Sequence, residues 1–502
     1  MDELMADGAN GNGLIRLSDQ TLAALPDAVA RPTYNREALT AGIVHIGLGN
    51  FHRAHQAWYL HRLMQSGKAQ DWAIIGAGVR AADGAQRERL LGQNCLTTLI
   101  ELDPAGMSAE VTGAMIDFLP VAPDNSPLIT KMTDPAIRIV SLTVTEGGYF
   151  VDPASGGFDA AHDDIVHDAA HPGRPRTAFG AIIAALDLRR AQGTGPFTVM
   201  SCDNLQSNGD VLRQTVLSLA RMSDPALADW IAAECSFPNS MVDCIVPATG
   251  TAERALANGF GIDDAAPVTH ENFHQWVIED DFCAGRPPLE EVGATFCGDV
   301  HQFEAMKLRI LNGGHQIIAA AGDLLGIETI AQTMDHPLIR RTLRKIVEQE
   351  IAPHVADVPG MTPLAYFDLI DRRFANPEIR DTTRRVAYDG SSRQPGFILP
   401  SVRDGLASGT PVSGLALVSA IWARYCLGTR EDGTPIAAND PNWQALTDLA
   451  KEAASEPGLW IAQRQIYGDL AANPVFDTAF SGWMALLHSN GVEAALARYL
   501  GL

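Results

Sequence analysis

The alternation of short apolar runs with helical patterns in the first half of the chain is the feature that most restricts its fold. The runs IVHIG (43–47) and WAIIGAG (72–78) each precede a helical pattern, and IRIVSLTVT (137–145) and FTVMSC (197–202) continue the series. Such runs, apolar on both faces and separated by helices, are typical of a parallel sheet covered on both sides. The pattern predicts an α/β domain, with LTTLIEL and AEVTGAMIDFL as antiparallel additions.

The second half of the chain has a different pattern. From about residue 300, long helical stretches such as PLIRRTLRKIVEQEI and LALVSAIWARYCLG dominate, and strand signals almost disappear. A chain of 502 residues also exceeds one ordinary core. We therefore predict an α/β domain over residues 14–297 and a mostly α-helical domain over 298–502. The acidic, glycine-rich residues 1–13 are expected to form a disordered leader.

Charge and composition exclude several classes of protein. A net charge of −23 argues against nucleic-acid binding, which depends on clustered Lys and Arg. The apolar runs stop well short of the roughly 20 residues that cross a bilayer, and no signal peptide is evident. The seven cysteines are scattered and form no CxxC pair, so we expect reduced cytoplasmic thiols without zinc or disulfides.

The segment GIVHIGLGNFHRAH (42–55) is the first candidate site. An apolar strand runs into Gly47-x-Gly49 and a helix follows, which is the context of a dinucleotide-binding Rossmann-like turn. His52 stands where the third glycine of that motif would be, so a plain strand–turn–helix stays open. Beyond the second strand, Asp83 is the candidate for a ribose hydroxyl and Arg80 for a 2′-phosphate; the alternative is a helix N-cap at Asp83.

Three histidines in this region, His45, His52 and His55, raise the question of a metal site. Their spacing is not distinctive and no Cys or carboxylate joins them, so we predict no metal here. Two other strands end in polar residues, SLTVTEGGY (141–149) with Thr145 and Glu146, and SCDNLQSNG (201–209) with Asp203 and Asn204. Ligands bind at such strand ends in open α/β sheets, although turn formation alone would also explain them.

The segment KLRILNGGH (307–315) places Lys307, Asn312 and His315 among apolar neighbours. On a helix that advances about 100° per residue, these three residues and Glu304 share one side of a helix running from about residue 303 to 325. An exposed ion pair followed by a helix end is the alternative. Our hypothesis is that this polar face looks into a cleft between the domains.

Taken together, these motifs resemble the polyol-specific long-chain dehydrogenases, the mannitol 2-dehydrogenase family. The resemblance rests on GLGNFHRAH, SLTVTEGGY, SCDN and KxxxxNxxH, and also on FPNSMVDCIVPAT (237–249), QWVIEDDF (275–282) and RFANPEIRDTTRRVAYDGSSRQPGF (373–397). It runs in order from about residue 14 to the C-terminus. It implies a zinc-independent enzyme that uses a nicotinamide cofactor.

The resemblance also implies roles for individual residues. Lys307 matches the catalytic base, Asn204 and Asn312 the pair that holds the reacting oxygen, His315 an orienting residue, and Glu304 the acid of the proton route to water. Asp243, Arg385 and Arg393 match positions near the substrate, although the family often has Lys in place of Arg393. The candidate cofactor-binding residues are Gly47, Gly49, Asn50, Phe51, Arg53, Asp83, Thr145 and Glu146.

From this resemblance we expect an NAD-dependent polyol dehydrogenase, with D-mannitol to D-fructose as the best single reaction. NAD rather than NADP rests on Asp83. D-arabinitol, D-sorbitol and fructuronate are alternative substrates, the last because Arg385 or Arg393 would supply a cation for its carboxylate. A non-catalytic sugar- or nucleotide-sensing protein is the alternative of another class. We expect a cytoplasmic monomer or weak oligomer.

Overall fold

A computed structural model of the chain describes residues 13–152 and 156–502, with Glu146 described by its backbone alone. The predicted leader, apart from Gly13, lies outside the described residues. Two compact units meet in sequence between Val300 and His301. The sequence-based boundary was placed between residues 297 and 298.

The described part of the chain forms its strands before residue 298. Their bounds are β1 Ile15–Arg16, β2 Val29–Ala30, β3 Ala41–Ile46, β4 Ala73–Ala77, β5 Thr97–Leu102, β6 Ser108–Thr112, β7 Met115–Phe118, β8 Ile139–Leu142, β9 Thr198–Ser201, β10 Ser240–Asp243, β11 Ile262–Asp263, β12 Val268–Glu271, β13 Gln275–Glu279 and β14 Thr295–Cys297.

The α-helices occur in both units. Their bounds are α1 Asn50–Ala54, α2 Gln56–Gln65, α3 Asp83–Leu91, α4 Ser126–Met132, α5 Asp163–Ala170, α6 Ala178–Gln192, α7 Asn208–Ser223, α8 Pro225–Glu234, α9 Thr251–Gly259, α10 His301–Met306, α11 Gly313–Leu324, α12 Ile330–Asp335, α13 Pro337–Ile346, α14 Pro363–Phe374, α15 Thr383–Val386, α16 Gly390–Arg393, α17 Leu399–Ser408, α18 Ser413–Tyr425, α19 Trp443–Ala453, α20 Gly458–Ile461, α21 Arg464–Tyr467 and α22 Pro474–Leu500.

A five-stranded parallel sheet, in the order β7-β4-β3-β8-β9, forms the centre of the N-terminal unit. Strand β3 has β4 on one side and β8 on the other, so the strand order reverses between β3 and β8. In open α/β sheets such a switch point leaves a crevice at the carboxyl ends of the strands. The sheet therefore predicts a ligand site beyond Ile46 and Leu142.

Both faces of this sheet are covered by apolar residues, which explains why its strands are apolar on both sides. One core packs Val44 and Leu142 against Ile182 of α6. The other packs Ile43 and Ile74 on the opposite face. The predicted fold class, a Rossmann-like α/β domain followed by a mostly helical domain, is confirmed.

The antiparallel additions differ in one respect from the prediction. Strands β5 and β6 pair antiparallel, as expected, in a four-stranded sheet ordered β12-β5-β6-β2. Strand β7, expected to continue them, instead joins the parallel sheet beside β4. After the turn at Gly113 the chain thus covers an edge of the parallel sheet, which would otherwise expose unpaired backbone groups.

The named elements of the C-terminal unit are all helices, and they include three π-helical turns at Lys307–Asn312, Val347–Ile351 and Gln394–Ile398. The first lies between α10 and α11, so residues 301–324 form one continuous helix with a widened turn in its middle. We call residues 301–324 the Lys307 segment. Within the described residues, no helix is both long and apolar enough to span a membrane.

Candidate functional site: a nucleotide cavity and the Lys307 segment

A cavity of about 550 Å³ opens at the switch point of the parallel sheet. Its walls come from the turn after β3, the turn after β4 and the turn after β8, together with the start of α6. Four of the predicted cofactor residues line it, namely Gly47, Gly49, Asp83 and Thr145. The carboxyl ends of three neighbouring strands thus converge on one cavity of the size that takes a large ligand.

Each of the two glycines in the first turn is needed for a different physical reason. Gly47 has φ +91°, and a Cβ atom there would lie 2.2 Å from the carbonyl oxygen of Thr143. Gly49 faces open space, because a Cβ atom built on it would meet nothing within 4 Å. Gly47 therefore permits the close approach of β3 and β8, and Gly49 leaves bare backbone toward the cavity, where a pyrophosphate would need it.

The turn after β8 is strained and firmly held. Thr145 has φ +68°, a conformation that residues other than glycine rarely adopt. The carboxylate of Asp203 accepts hydrogen bonds from the backbone N–H of Val144 at 2.9 Å and of Thr145 at 3.0 Å. It also accepts one from the hydroxyl of the buried Tyr149 at 2.7 Å. Strain held in this way is common at ligand sites.

Asp83 is the first residue of α3, and the N-cap position is held by Ala82, so the N-cap alternative is wrong. One Asp83 carboxylate oxygen instead accepts a hydrogen bond from the backbone N–H of Arg80, in the preceding turn, at 2.9 Å. The same residue and Arg80 both line the cavity. A carboxylate and a guanidinium thus stand at the wall where a ribose would be distinguished from its 2′-phosphate.

Three predicted cofactor residues lie elsewhere. Asn50 and Arg53 line a separate cavity of about 450 Å³ rather than the one at the switch point. Arg53 is buried and donates to the side-chain oxygen of Asn50 at 2.7 Å. Phe51 stacks on His55 with ring centres 4.8 Å apart. Arg53 also donates from Nε to the carbonyl oxygen of Gly49 at 3.3 Å, so it contacts the glycine turn directly. The side chain of Glu146, the remaining predicted residue, lies outside the described atoms.

The histidines near the turn are packing residues. The ring nitrogens of His45 lie 2.8 Å from the hydroxyls of Ser141 and Thr143, and its ring stacks on His52 at 3.4 Å. Burial lowers the pKa of His45 to about 3, so the ring is neutral at ordinary pH. His55 donates from Nε2 to the carbonyl oxygen of Gln275 at 3.1 Å. These contacts agree with the interpretation that the three residues are structural.

Two further predicted residues follow strands of the N-terminal unit. Asn204 is exposed after β9, and Asp243 is buried at the end of β10. The buried side chain of Asn208 donates to the carbonyl oxygens of Asp203 at 3.0 Å and Ser240 at 2.9 Å, and so joins the segment after β9 to the start of β10.

In the C-terminal unit, the π-helical turn alters the geometry that the sequence predicted. Lys307 is only 7% exposed and begins the turn, and Asn312 ends it. Hydrogen bonding in a π-helix runs from i to i+5, so residues five apart stand one turn above each other. Five residues span about 140° on a regular helix after one full turn, and the π-turn narrows this angle, so Lys307 and Asn312 lie closer together on the side of the helix that the sequence predicted for both. Single π-turns of this kind occur frequently at functional sites.

His315 follows on the same segment and is partly covered. Its ring stacks on the buried Phe374 with centres 4.1 Å apart. Burial lowers the pKa of His315 to about 3; Asp381 opposes this shift, and the nearby Arg385 and Arg393 add to it. The ring is therefore neutral and offers one donor and one acceptor to a ligand.

Glu304 and the two predicted arginines have identifiable partners. The Glu304 side chain is 6% exposed, and its carboxylate accepts a hydrogen bond from Nδ1 of the 49% exposed His301 at 3.1 Å. Arg385 is exposed and forms a two-point ion pair with Asp381, which raises its pKa. Arg393 donates to the carbonyl oxygen of Val386 at 2.5 Å.

Sequence reasoning missed several residues of these sites. Asp203 was recognised as a polar strand end but not as the residue that holds the strained turn, and Tyr149, which donates to it, carries no motif of its own. Arg373 and Asp381 both interact with the charge of His315, yet they lie far from it in sequence. A carboxylate directly before Asn204 was the one signal available for the first pair.

The fold and the cavity define a class. A parallel sheet with a glycine turn at its switch point is the architecture of dinucleotide-binding oxidoreductase domains, and here a helical unit with a buried lysine follows it.

The comparisons with known proteins identify the family. Residues 41–291 match the Mannitol dehydrogenase Rossmann domain, and residues 299–484 match the Mannitol dehydrogenase C-terminal domain. The chain belongs to the mannitol dehydrogenase family, which confirms the family predicted from the sequence. A mannitol 2-dehydrogenase of Cereibacter sphaeroides is 57% identical over 94% of this chain and 99% of its own length.

Two solved structures are similar over nearly the whole chain. One is Pseudomonas fluorescens mannitol 2-dehydrogenase in a ternary complex with NAD and D-mannitol, with a TM-score of 0.87 and 42% identity over 97% of this chain and 100% of the other. The other is a D-sorbitol dehydrogenase in substrate-free form, with a TM-score of 0.89 and 35% identity over 96% of this chain and 100% of the other.

Proposed function

We propose that this chain is an NAD-dependent mannitol 2-dehydrogenase that interconverts D-mannitol and D-fructose without a metal at the reacting carbon. The observation that carries the proposal is the 57% identity to a mannitol 2-dehydrogenase over 99% of that enzyme's length. The similar structure that contains NAD and D-mannitol supports it. D-Sorbitol is the second candidate substrate, because a D-sorbitol dehydrogenase has a TM-score of 0.89 to this chain.

The N-terminal cavity would hold the cofactor. Gly49 leaves backbone bare for the pyrophosphate, and the Asp83 carboxylate is the residue that would accept a hydrogen bond from a ribose hydroxyl. Thr145, fixed by Asp203, would present its backbone to the cofactor in a set orientation. When bound, NAD supplies the acceptor for the hydride that leaves the alcohol carbon.

Lys307 is proposed as the general base that takes the proton of the reacting hydroxyl, and as the acid in the reverse direction. A lysine can serve as base only where its charged form is destabilised by burial or by like charge. The 7% exposure of Lys307 supports this role. Asn312, one π-turn away, and Asn204 are proposed to donate to the oxygen as negative charge develops on it.

The remaining residues would position the substrate and carry the proton from Lys307 to water. A neutral His315 would orient the polyol or the lysine, with Asp243, Arg385 and Arg393 near the substrate hydroxyls. Glu304 is buried and bonded to the half-exposed His301, which supports a route from Lys307 toward water. His301 was not among the predicted residues.

Replacement of the base tests the mechanism. In Lys307→Ala we expect kcat to fall by about 10²–10⁴, the usual contribution of a general base. NADH affinity, measured by fluorescence titration, should change less than about twofold, because the N-terminal unit would supply that binding. Lys451→Ala, at an exposed lysine paired with Asp448, is the matched control. A Lys307→Ala enzyme with normal turnover would remove the mechanism.

The substrate is tested separately on the wild-type enzyme. Values of kcat/KM for D-mannitol, D-sorbitol, D-arabinitol and fructuronate should rank D-mannitol first. A higher value for D-sorbitol would favour the second candidate without affecting the base. NADH binding without turnover of any of these would favour the non-catalytic alternative. We also propose a cytoplasmic location, which the free thiols support. We further propose a monomer or weak oligomer, and light scattering of the purified protein tests this oligomeric state.

A further inference from the structure

Three segments of the N-terminal unit bring a thiol and two imidazoles together, directly after the proposed substrate residue Asp243. One ligand-capable atom from each of Cys244, His270 and His274 lies within 4.8 Å of the others. Cys244 and His270 are buried and His274 is half-buried. Among the residues that the structure describes, this is the single group of three or more His, Cys, Asp or Glu side chains with such spacing.

Backbone pairing holds Cys244 close to both histidines. Strand β10 pairs antiparallel with β13, with Asp243 opposite Gln275. The next residues in that register, Cys244 and His274, therefore face each other beyond the end of the ladder.

On the other side, two hydrogen bonds fix Cys244 next to His270. The backbone N–H of Ile245 donates to the Glu271 carboxylate at 2.6 Å, and the N–H of Glu271 donates to the carbonyl oxygen of Ile245 at 3.1 Å. Ile245 directly follows Cys244, and Glu271 directly follows His270. These bonds therefore hold the Cys244 and His270 side chains close to each other.

Each imidazole has one nitrogen committed as a donor. Nδ1 of His270 lies 2.8 Å from the carbonyl oxygen of Glu271, and Nε2 of His274 lies 2.9 Å from that of Ala54. A carbonyl oxygen can only accept, so both nitrogens carry the hydrogen. The lone pairs of the neutral rings are then on Nε2 of His270 and Nδ1 of His274. His274 is further fixed by stacking on Trp58, with ring centres 4.1 Å apart.

An imidazole whose N–H donates to a backbone carbonyl, leaving the other nitrogen free to coordinate, is the usual outer-shell arrangement around a metal. Thiolate and imidazole are the ligands that zinc prefers. We propose that Cys244, His270 and His274 bind one zinc-class divalent ion, with water at the fourth position. On binding, the Cys244 thiol forms the sulfur–metal bond and releases its proton to the buffer.

The three ligands of this site include none of the residues proposed to bind the cofactor or to transfer the proton, although Cys244 adjoins the proposed substrate residue Asp243. Its effect would be to join the end of β10, strand β12 and the start of β13. We therefore expect the ion to raise the thermal midpoint of the wild-type enzyme in a concentration-dependent manner.

Metal titration of the full-length enzyme tests the proposal. After chelator treatment and dialysis, we expect about one Zn²⁺ per chain, with release of about one proton per ion in calorimetry. Co²⁺ should give a thiolate-to-cobalt absorption band. Cys244→Ser should abolish that band, and both Cys244→Ser and His274→Gln should weaken Zn²⁺ binding by more than about 100-fold.

Matched controls separate this site from exposed side chains. Cys283→Ser and His171→Gln alter an exposed thiol and an exposed imidazole, and both should bind Zn²⁺ as the wild type does. Circular dichroism and NADH titration show whether each variant is folded. Wild-type enzyme that binds no Zn²⁺, or a folded Cys244→Ser that binds it equally well, would overturn the proposal. No polyol turnover is measured, so the outcome is independent of the proposed function.

Discussion

The cavity of the N-terminal unit and the Lys307 segment of the C-terminal unit are built in opposite ways. The cavity depends on backbone features, namely glycines, strand ends and one strained turn, and side chains such as Asp83 and Arg80 complete its wall. The Lys307 segment is formed by side chains that an irregular helix brings onto one face. A site that depends on backbone geometry can be recognised from a short sequence motif, because glycine is needed wherever another residue would clash. Side-chain sites on a helix depend on its exact winding, which spacing alone does not reveal.

The largest effect should come from breaking the backbone site. In Gly47→Ala, the new methyl group would meet the Thr143 carbonyl oxygen at 2.2 Å at a positive φ. We expect loss of several kcal/mol of folding free energy and no measurable NADH binding. Urea denaturation and NADH titration measure both.

Two other glycines sharpen that test. Gly49→Ala has room for its methyl group, so the fold should persist while NADH affinity falls about tenfold. Gly84→Ala, in the helix α3 and also without a close neighbour, should leave both unchanged or slightly raise stability. Equal stability of Gly47→Ala and Gly84→Ala would contradict the backbone interpretation.

The next largest effect, a loss of kcat, is expected on replacing one amide side chain in each unit. If Asn204 and Asn312 hold the same oxygen, each Ala variant should lose about 10²–10³ in kcat with little change in NADH affinity. Single-turnover kinetics with D-mannitol measure the loss. Gln206→Ala, an exposed amide near Asn204, is the control. A large loss in one variant alone would show that the oxygen is held by one unit.

A smaller effect is expected at the cofactor wall. Asp83→Ser removes the carboxylate near the proposed ribose position while Arg80 remains. We expect kcat/KM for NAD to fall about tenfold and that for NADP to rise. The ratio of the two values is the measurement, and an unchanged ratio would assign cofactor choice to other residues.

The smallest effect concerns two histidines, one in each unit. Both His45 and His315 have a pKa lowered from 6.5 to about 3, so the unfolded chain takes up their protons first as pH falls. Stability should therefore rise with pH between about 3 and 6.5 and be independent of these groups above that range. His45→Gln and His315→Gln should each reduce the acid-side slope by about one proton, measured by urea denaturation across that range. If both variants kept the wild-type slope of stability against pH, the proton uptake would have to come from groups other than His45 and His315.

Much of the fold was predictable from the sequence. Strands buried on both faces need continuous apolar runs, so β3, β4, β8 and β9 were visible, and the helical second half was equally clear. Strand β7 was misassigned because its pairing depends on which sheet edge is nearby, a tertiary property. The sequence did not indicate the second cavity, which Asn50 and Arg53 line, because it forms between segments far apart in the chain. Their role in cofactor binding stays a prediction.

By itself, the sequence determined the two-part architecture, the glycine turn and the family, since each is encoded by local pattern or by an ordered set of motifs. Tertiary structure decided which polar residues meet: it places Asp203 under the strained Thr145, and its π-turn narrows the angle between Lys307 and Asn312 on the face that the spacing predicted. The physical reason is that periodicity and turn chemistry act over a few residues. Hydrogen bonds between strand ends and the winding of a π-turn, by contrast, are set by the packing around them.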